Sequence, residues 1–180
     1  FKEKEVNLQV AEKLAKQIKM KLGIPIYLSR DGDYELSLEQ RLQPASKPDV
    51  DIWLLLHAQA ALSPAPHGVS LFIRPDEVTQ VLSDEAKAEP VESVSRELAA
   101  QLALTLRQAG FEVNGIYPSP LLSLGRGSLP TVQVELGYLS HPDELSSLQD
   151  GDYQERLAQA LYQGIHGFAK SKKEKVNGLN

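Results

Sequence analysis

The 180-residue sequence contains no cysteine. That absence excludes disulfides, thiolate nucleophiles and cysteine-based zinc sites, so any metal must be held by histidine and carboxylates. Long apolar runs are missing too: no stretch approaches the ~20 residues that a membrane-spanning helix needs. There is no basic excess. The net charge is -5 and the pI about 5.4, the wrong sign for a surface that tracks nucleic-acid phosphates. The chain begins at Phe1, without an initiating methionine or the basic, apolar and small-residue pattern of a signal peptide. It reads as a piece trimmed at its front. What is present, 42% hydrophobic and 24% charged residues, is the composition of a soluble globular protein, and the length suffices for one core without staples.

The hydrophobic pattern predicts the elements. Val6, Val10, Leu14, Ile18 and Leu22 recur every fourth residue and Gly23 follows them, so an amphipathic helix is expected over Glu3 to Leu22. Ile24–Leu28 reads as a short strand. Ser37 with Gln40 three residues later forms a capping-box pattern, which opens a short helix that Pro44 interrupts. Val50–Leu56 is nearly continuous apolar sequence, as in a strand buried on both faces of a parallel sheet, and it ends on His57. Residues 68–73 read as the next strand, and residues 74–90 as a polar surface excursion. Val94, Leu98, Leu102 and Leu106 mark a helix that Gly110 ends. Strands are expected at 111–114 and 121–124 around a Tyr-Pro-Ser-Pro turn, then at Thr131–Leu136, ending on Glu135 and Leu136. A short helix from Pro142 and a long one from about Asp152 close the chain. This alternation predicts a single α/β domain over residues 1–169, a three-layer sandwich whose mixed, largely parallel central sheet is flanked by helices. Residues 170–180 are expected as a polar C-terminal tail.

In open α/β sheets, ligand sites gather outside the carboxyl ends of strands. His57 and Glu135 each stand at or near such an end, which makes them candidates for one cleft. A carboxylate within Val134-Glu135-Leu136 is hard to explain by packing, because burying an unpaired charge costs on the order of several kcal/mol. His57 on its own is equally readable as a satisfied core histidine. Glu3 is equally readable as an acidic residue favoured in a first helical turn by the helix dipole.

Several segments together resemble a known family. Glu3-Lys4-Glu5-Val6-Asn7-Leu8, Leu28-Ser29-Arg30-Asp31-Gly32-Asp33 with Leu38-Glu39-Gln40-Arg41, Leu56-His57-Ala58-Gln59, Gly68-Val69-Ser70-Leu71-Phe72, and Val134-Glu135-Leu136-Gly137-Tyr138-Leu139-Ser140-His141-Pro142 are similar, in this order, to zinc-dependent N-acetylmuramoyl-L-alanine amidases of the Amidase_3 type. The resemblance runs from residue 3 to about residue 168. It implies an exported peptidoglycan hydrolase that cleaves the amide between N-acetylmuramic acid and the L-alanine of the stem peptide. Carried residue by residue, it makes Glu3 and His57 zinc ligands and Glu135 the catalytic carboxylate. The family's first histidine ligand lies in a His-Gly-Gly turn after a strand, ahead of the glutamate ligand, and has no counterpart from Phe1 onward. Zinc chemistry suits these residue types. A catalytic zinc takes about three N and O ligands, polarises a carbonyl and acidifies water, and a nearby carboxylate moves the proton.

The remaining polar candidates carry simpler expectations. His67 is expected in an exposed loop, His141 as a helix cap where the family more often has Asn, and His166 without a role. Arg30, Asp33 and Arg41 are expected as a structural charge cluster rather than a substrate clamp. Gln59 stands where the family commonly has Asn, which keeps the amide and lengthens its reach. The expected partner is peptidoglycan or a muropeptide, with no nucleic acid and no membrane span, acting as a monomer in the periplasm or cell wall. Two other functions compete: a degenerate amidase domain that binds cell-wall glycopeptide or a protein partner without catalysis, and another α/β zinc exopeptidase.

Overall fold

The computed structural model describes residues 2–75, 91–121 and 129–177, with the side chains of 91–93 left aside. Helix α1 spans Glu3–Leu22, as the four-residue spacing predicts, and buries Val6, Val10, Leu14 and Ile18. Gly23, at φ 65°, ends it and donates its N–H to the Lys19 carbonyl. Ser37 caps α2 (Leu38–Leu42) through the expected box with Gln40, and Pro44 converts the continuation into a 3-10 turn over Gln43–Ser46. Strands β1 (Trp53–Gln59) and β2 (Val69–Ile73) come next, followed by α3 (Val91–Gln108), β3 (Val113–Pro118), β4 (Thr131–Tyr138), α4 (Pro142–Gln149) and α5 (Gly151–Asn177).

The four strands lie in the order β1-β4-β2-β3. β1 pairs parallel with β4 and β2 parallel with β3, while β2 and β4 run antiparallel, so the sheet is mixed. With helices on both sides, it is the α/β sandwich expected. Val132, Val134, Leu136, Leu71 and Ile73 point from one sheet face into a core shared with Leu98, Leu102, Leu157 and Leu161. α1, α3 and α5 pack together over that face.

Several expectations give way to the observed structure. Residues 24–28 form no strand. A cleft of about 600 Å³ lies between them and β1, so they reach no ladder partner. β1 begins three residues later than expected, continues past His57, and is a half-buried edge strand. The strand buried on both faces is β4, which is flanked by β1 and β2. An apolar run reports that a strand is covered, but not which neighbours cover it. β3 starts two residues late and carries on through the expected turn to Pro118, because residues 113–118 pair with β2. Leu121 lies in no strand, and 122–124 fall outside the described residues. Of the expected excursion at 74–90, Arg74 is buried, and residues 76–90 are outside the described ones. The expected tail continues α5 as far as Asn177, where Lys172 and Lys175 reach Glu97 of α3 at 3.1 and 2.7 Å.

The contact of α3 with α5 depends on one small residue. A Cβ at Gly164 would stand 2.8 Å from Leu102 Cα and 2.9 Å from both Leu102 Cδ2 and Thr105 Oγ1. Thr105 Oγ1 also donates to the Ala160 carbonyl at 2.8 Å, which holds the two helices at that spacing. Gly164→Ala should therefore destabilise the fold by a net ~1–2 kcal/mol, overpacking outweighing the better helix propensity of alanine. A urea titration measures this; an unchanged or higher midpoint would contradict the packing described.

Candidate functional site

Pairing register brings the candidates together. The parallel ladder sets His57 opposite Glu135, and the antiparallel ladder sets Ser70 on the other side of Glu135. Side chains alternate along strands, so the row His57, Glu135, Ser70 lies on the sheet face opposite the packed helices. Gln133, two residues before Glu135, lies on the same face. The β1/β4 register shifts between His57 and Gln59, an irregularity of the kind that re-aims side chains beside sites. Both candidates stand near the carboxyl ends of their strands, which run on to Gln59 and Tyr138.

Glu3 reaches this row from the first turn of α1. Its Oε1 lies 2.9 Å from His57 Nδ1 and accepts hydrogen bonds from Asn7 Nδ2 at 3.2 Å and from the Ala58 N–H at 3.4 Å. The hydrogen bond from His57 holds the Glu3 carboxyl below its usual range, with burial opposing. The same bond raises His57 above its ordinary value, against the effect of its own burial. When the ring is protonated the two form an ion pair.

Glu135 behaves in the opposite way. It is only 6% exposed, and burial pushes its carboxyl above the ordinary range. The Gln133 amide, donating to Oε1 at 2.7 Å, pulls it back down, as do the charge of His57 and a hydrogen bond from Gln59. Gln59 thus lies near enough to act on the candidate carboxylate.

Other sequence candidates stand apart from this group. His67 Nε2 pairs with Glu112 at 3.3 Å, and its ring lies against His141. His141 caps α4, accepting from the Glu144 N–H at 3.4 Å as expected, and His166 stacks on Tyr162. Arg30 donates to the carbonyls of Gly32 and Lys4 at 2.8 and 2.6 Å, and Asp33 pairs with Lys4 at 2.7 Å, so these two are structural. Arg41 donates Nε to the Leu36 carbonyl at 3.2 Å and faces a cavity of about 650 Å³ that Glu3 and His57 also line.

Three contributors escaped the sequence reading. Gln133 was legible only as a polar residue in a strand. Asn114 donates to Ser70 Oγ at 3.2 Å and to the His67 carbonyl at 2.8 Å. Glu144 accepts the N–H groups of Tyr138 at 2.7 Å and Gly68 at 2.8 Å, fixing the end of β4 to the start of β2. Gly137, at φ 146°, passes so close to the Glu144 carboxylate that a Cβ there would lie 3.1 Å from it. The only sequence signal for Glu144 was its place in the first turn of a helix that follows Glu135.

Glu3 and His57 fit a zinc ion in donor type, one oxygen and one nitrogen. Two donors of one tetrahedral zinc stand ~3.3 Å apart, so the pair, 2.9 Å apart, would part by a few tenths of an ångström to take the ion. Among the described residues no group of three or more His, Asp or Glu could hold a metal.

Residues 1–167 match the Amidase_3 family, described as N-acetylmuramoyl-L-alanine amidase. The chain belongs to this family. The amidase LytC of Bacillus subtilis is 28% identical over 166 residues, covering 92% of this chain and 31% of LytC. The chain therefore spans about a third of that relative's length. Among solved structures, the catalytic domain of the amidase CwlV from Bacillus (Paenibacillus) polymyxa superposes with a TM-score of 0.79 at 26% identity, covering 93% of this chain and 85% of that one. An N-acetylmuramoyl-L-alanine amidase from Clostridium difficile 630 gives 0.81 at 26% identity, covering 96% and 86%. The amidase-family match thus includes Glu3, His57 and Glu135.

The Glu135 environment makes a testable statement about this amidase-family site. Carboxyl NMR should show Glu135 titrating above 4.5, its ordinary value, and Gln133→Leu should move it higher still. Because the folded value is raised, the fold loses stability as pH rises from 4.5 through that value, and Glu135→Gln should remove this loss. A Glu135 titration at or below 4.5 would contradict the burial described.

Proposed function

We propose that this chain is a zinc-dependent peptidoglycan hydrolase that cleaves the amide between N-acetylmuramic acid and the L-alanine of the stem peptide. The observation that carries the proposal is the convergence of Glu3 and His57 at 2.9 Å in the same row as the buried Glu135. Membership of an amidase family supplies the bond class. Glu3 and His57 would hold the metal; when bound, zinc supplies Lewis-acid polarisation of the amide carbonyl and acidifies water.

The chain's own residues account for proton movement. Water adds to the carbonyl carbon as Glu135 takes its proton, and the C–N bond breaks as Glu135 returns that proton to the leaving nitrogen. A carboxyl raised by burial suits both halves, since it accepts from acidified water and then donates to an amine. Gln133 and Gln59 keep Oε1 and the rest of the carboxylate in place. Products are a muramic carboxylate and a free stem peptide. Such a substrate places the chain outside the cytoplasmic membrane, and no described helix is long and apolar enough to cross one.

Elemental analysis of the native gene product should find about one zinc per chain, as a catalytic site of this ligand type holds. Purified cell wall incubated with it should release free stem peptides. Glu135→Gln should retain the metal and lose nearly all activity; loss of metal in that variant would make Glu135 a ligand and not the base. Absence of tight metal and of peptide release would instead leave a domain that binds cell-wall glycopeptide without cutting it.

A further inference from the structure

The cavity beside Glu3 and His57 is walled by three cations, Lys4, Arg30 and Arg41, and by Glu3, Asp33 and Glu35. Most of these charges are already engaged. Lys4 pairs with Asp33, Glu3 pairs with His57, and Arg30 is held between two backbone carbonyls. Arg41 differs. Its Nε meets the Leu36 carbonyl, and its two terminal nitrogens have no hydrogen-bond partner among the described residues. The Ser37–Gln40 capping box fixes the helix that carries it, so the guanidinium stands on a built element. Arg41 is also close enough to His57 for its charge to oppose protonation of that ring.

The two terminal nitrogens of Arg41 thus offer a planar pair of donors to the cavity. A carboxylate is their complement, since guanidinium pairs with carboxylates in a two-pronged geometry. On the muramic side of the scissile bond the lactyl carboxyl is consumed in the amide itself. An anionic group next to that bond must therefore belong to the peptide.

We infer that Arg41 is a specificity-determining residue that binds a free carboxylate of the stem peptide within a residue or two of the scissile amide, on the leaving-amine side. This rests on the substrate proposed above. An extended residue spans ~3.3–3.6 Å, so a cavity of about 650 Å³ has room for the two or three peptide residues required. The expectation of a purely structural charge cluster then holds for Arg30 and Asp33 but not for Arg41.

Calorimetric binding tests this without requiring turnover. The probes are N-acetylmuramoyl-L-alanyl-D-glutamate with its γ-carboxyl amidated, which leaves the α-carboxylate free, and its counterpart with both carboxyls amidated. The chain should bind the free acid more tightly than the amide. Arg41→Ala should weaken the free acid about tenfold, as loss of a hydrogen bond to a charged group does, and leave the amide unchanged. Arg41→Lys should restore part of the preference. Equal binding of both probes by the parent, or an equal loss of both in Arg41→Ala, would overturn the role of Arg41 and leave the proposed function standing. Binding of neither probe would overturn both.

Discussion

The parallel register of β1 on β4 is the constraint on which the site depends. It fixes His57 against Glu135, and the antiparallel partner β2 fixes Ser70 on the far side. Because side chains alternate, the register that buries Val132, Val134 and Leu136 against the helices also turns Gln133 and Glu135 to the opposite face. A slip of one residue would exchange the two sets and place a carboxylate in the core. Folding energy and site geometry are therefore set by the same ladder. α1 then completes the arrangement, since its apolar stripe holds the helix in the core while its first residue reaches His57.

Two carboxylates in this small region are driven in opposite directions by their surroundings. Glu3 is half-exposed, paired with His57, and held ionised; Glu135 is nearly sealed and its carboxyl is raised. Groups with such divergent environments suit separate duties, one as an anionic donor for a metal and the other as a proton carrier. The arrangement costs stability at Glu135, and strain of that kind is common at working sites. Glu144 offsets part of it by clamping two backbone N–H groups at the end of β4.

Much of this was legible in the sequence, and the reasons for success and failure are physical. The four-residue spacing of α1, the Ser37 capping box and the polar Glu135 inside an apolar strand are local signals, and each corresponds to the structure. Strand neighbours are not local. Nothing in Val50–Leu56 distinguishes an edge strand from a central one, and residues 24–28 look strand-like whether or not a partner lies beside them. The helix continues through the polar residues from Lys170 to Asn177, where Lys172 and Lys175 reach Glu97 on a different helix, a contact that local sequence does not report. Within the site, Asn114 matters through contacts to Ser70 and His67 on another strand and loop, which no sequence spacing reports. Arg30, Asp33 and Arg41 looked alike in sequence, and only their hydrogen-bond partners separate them.

The central claim is that Glu3 and His57 form one site whose proton can be exchanged for a metal. It is tested most directly by following the imidazole nitrogens of His57 by NMR across pH, first in the metal-free chain and then with zinc added. Without metal, His57 should titrate above 6.5, its ordinary value, because Glu3 stabilises the charged ring. With zinc present, the ring should remain neutral and its titration should move to lower pH, where protons displace the metal. A His57 that titrates at or below 6.5 without metal, or whose titration zinc leaves unmoved, would contradict the account.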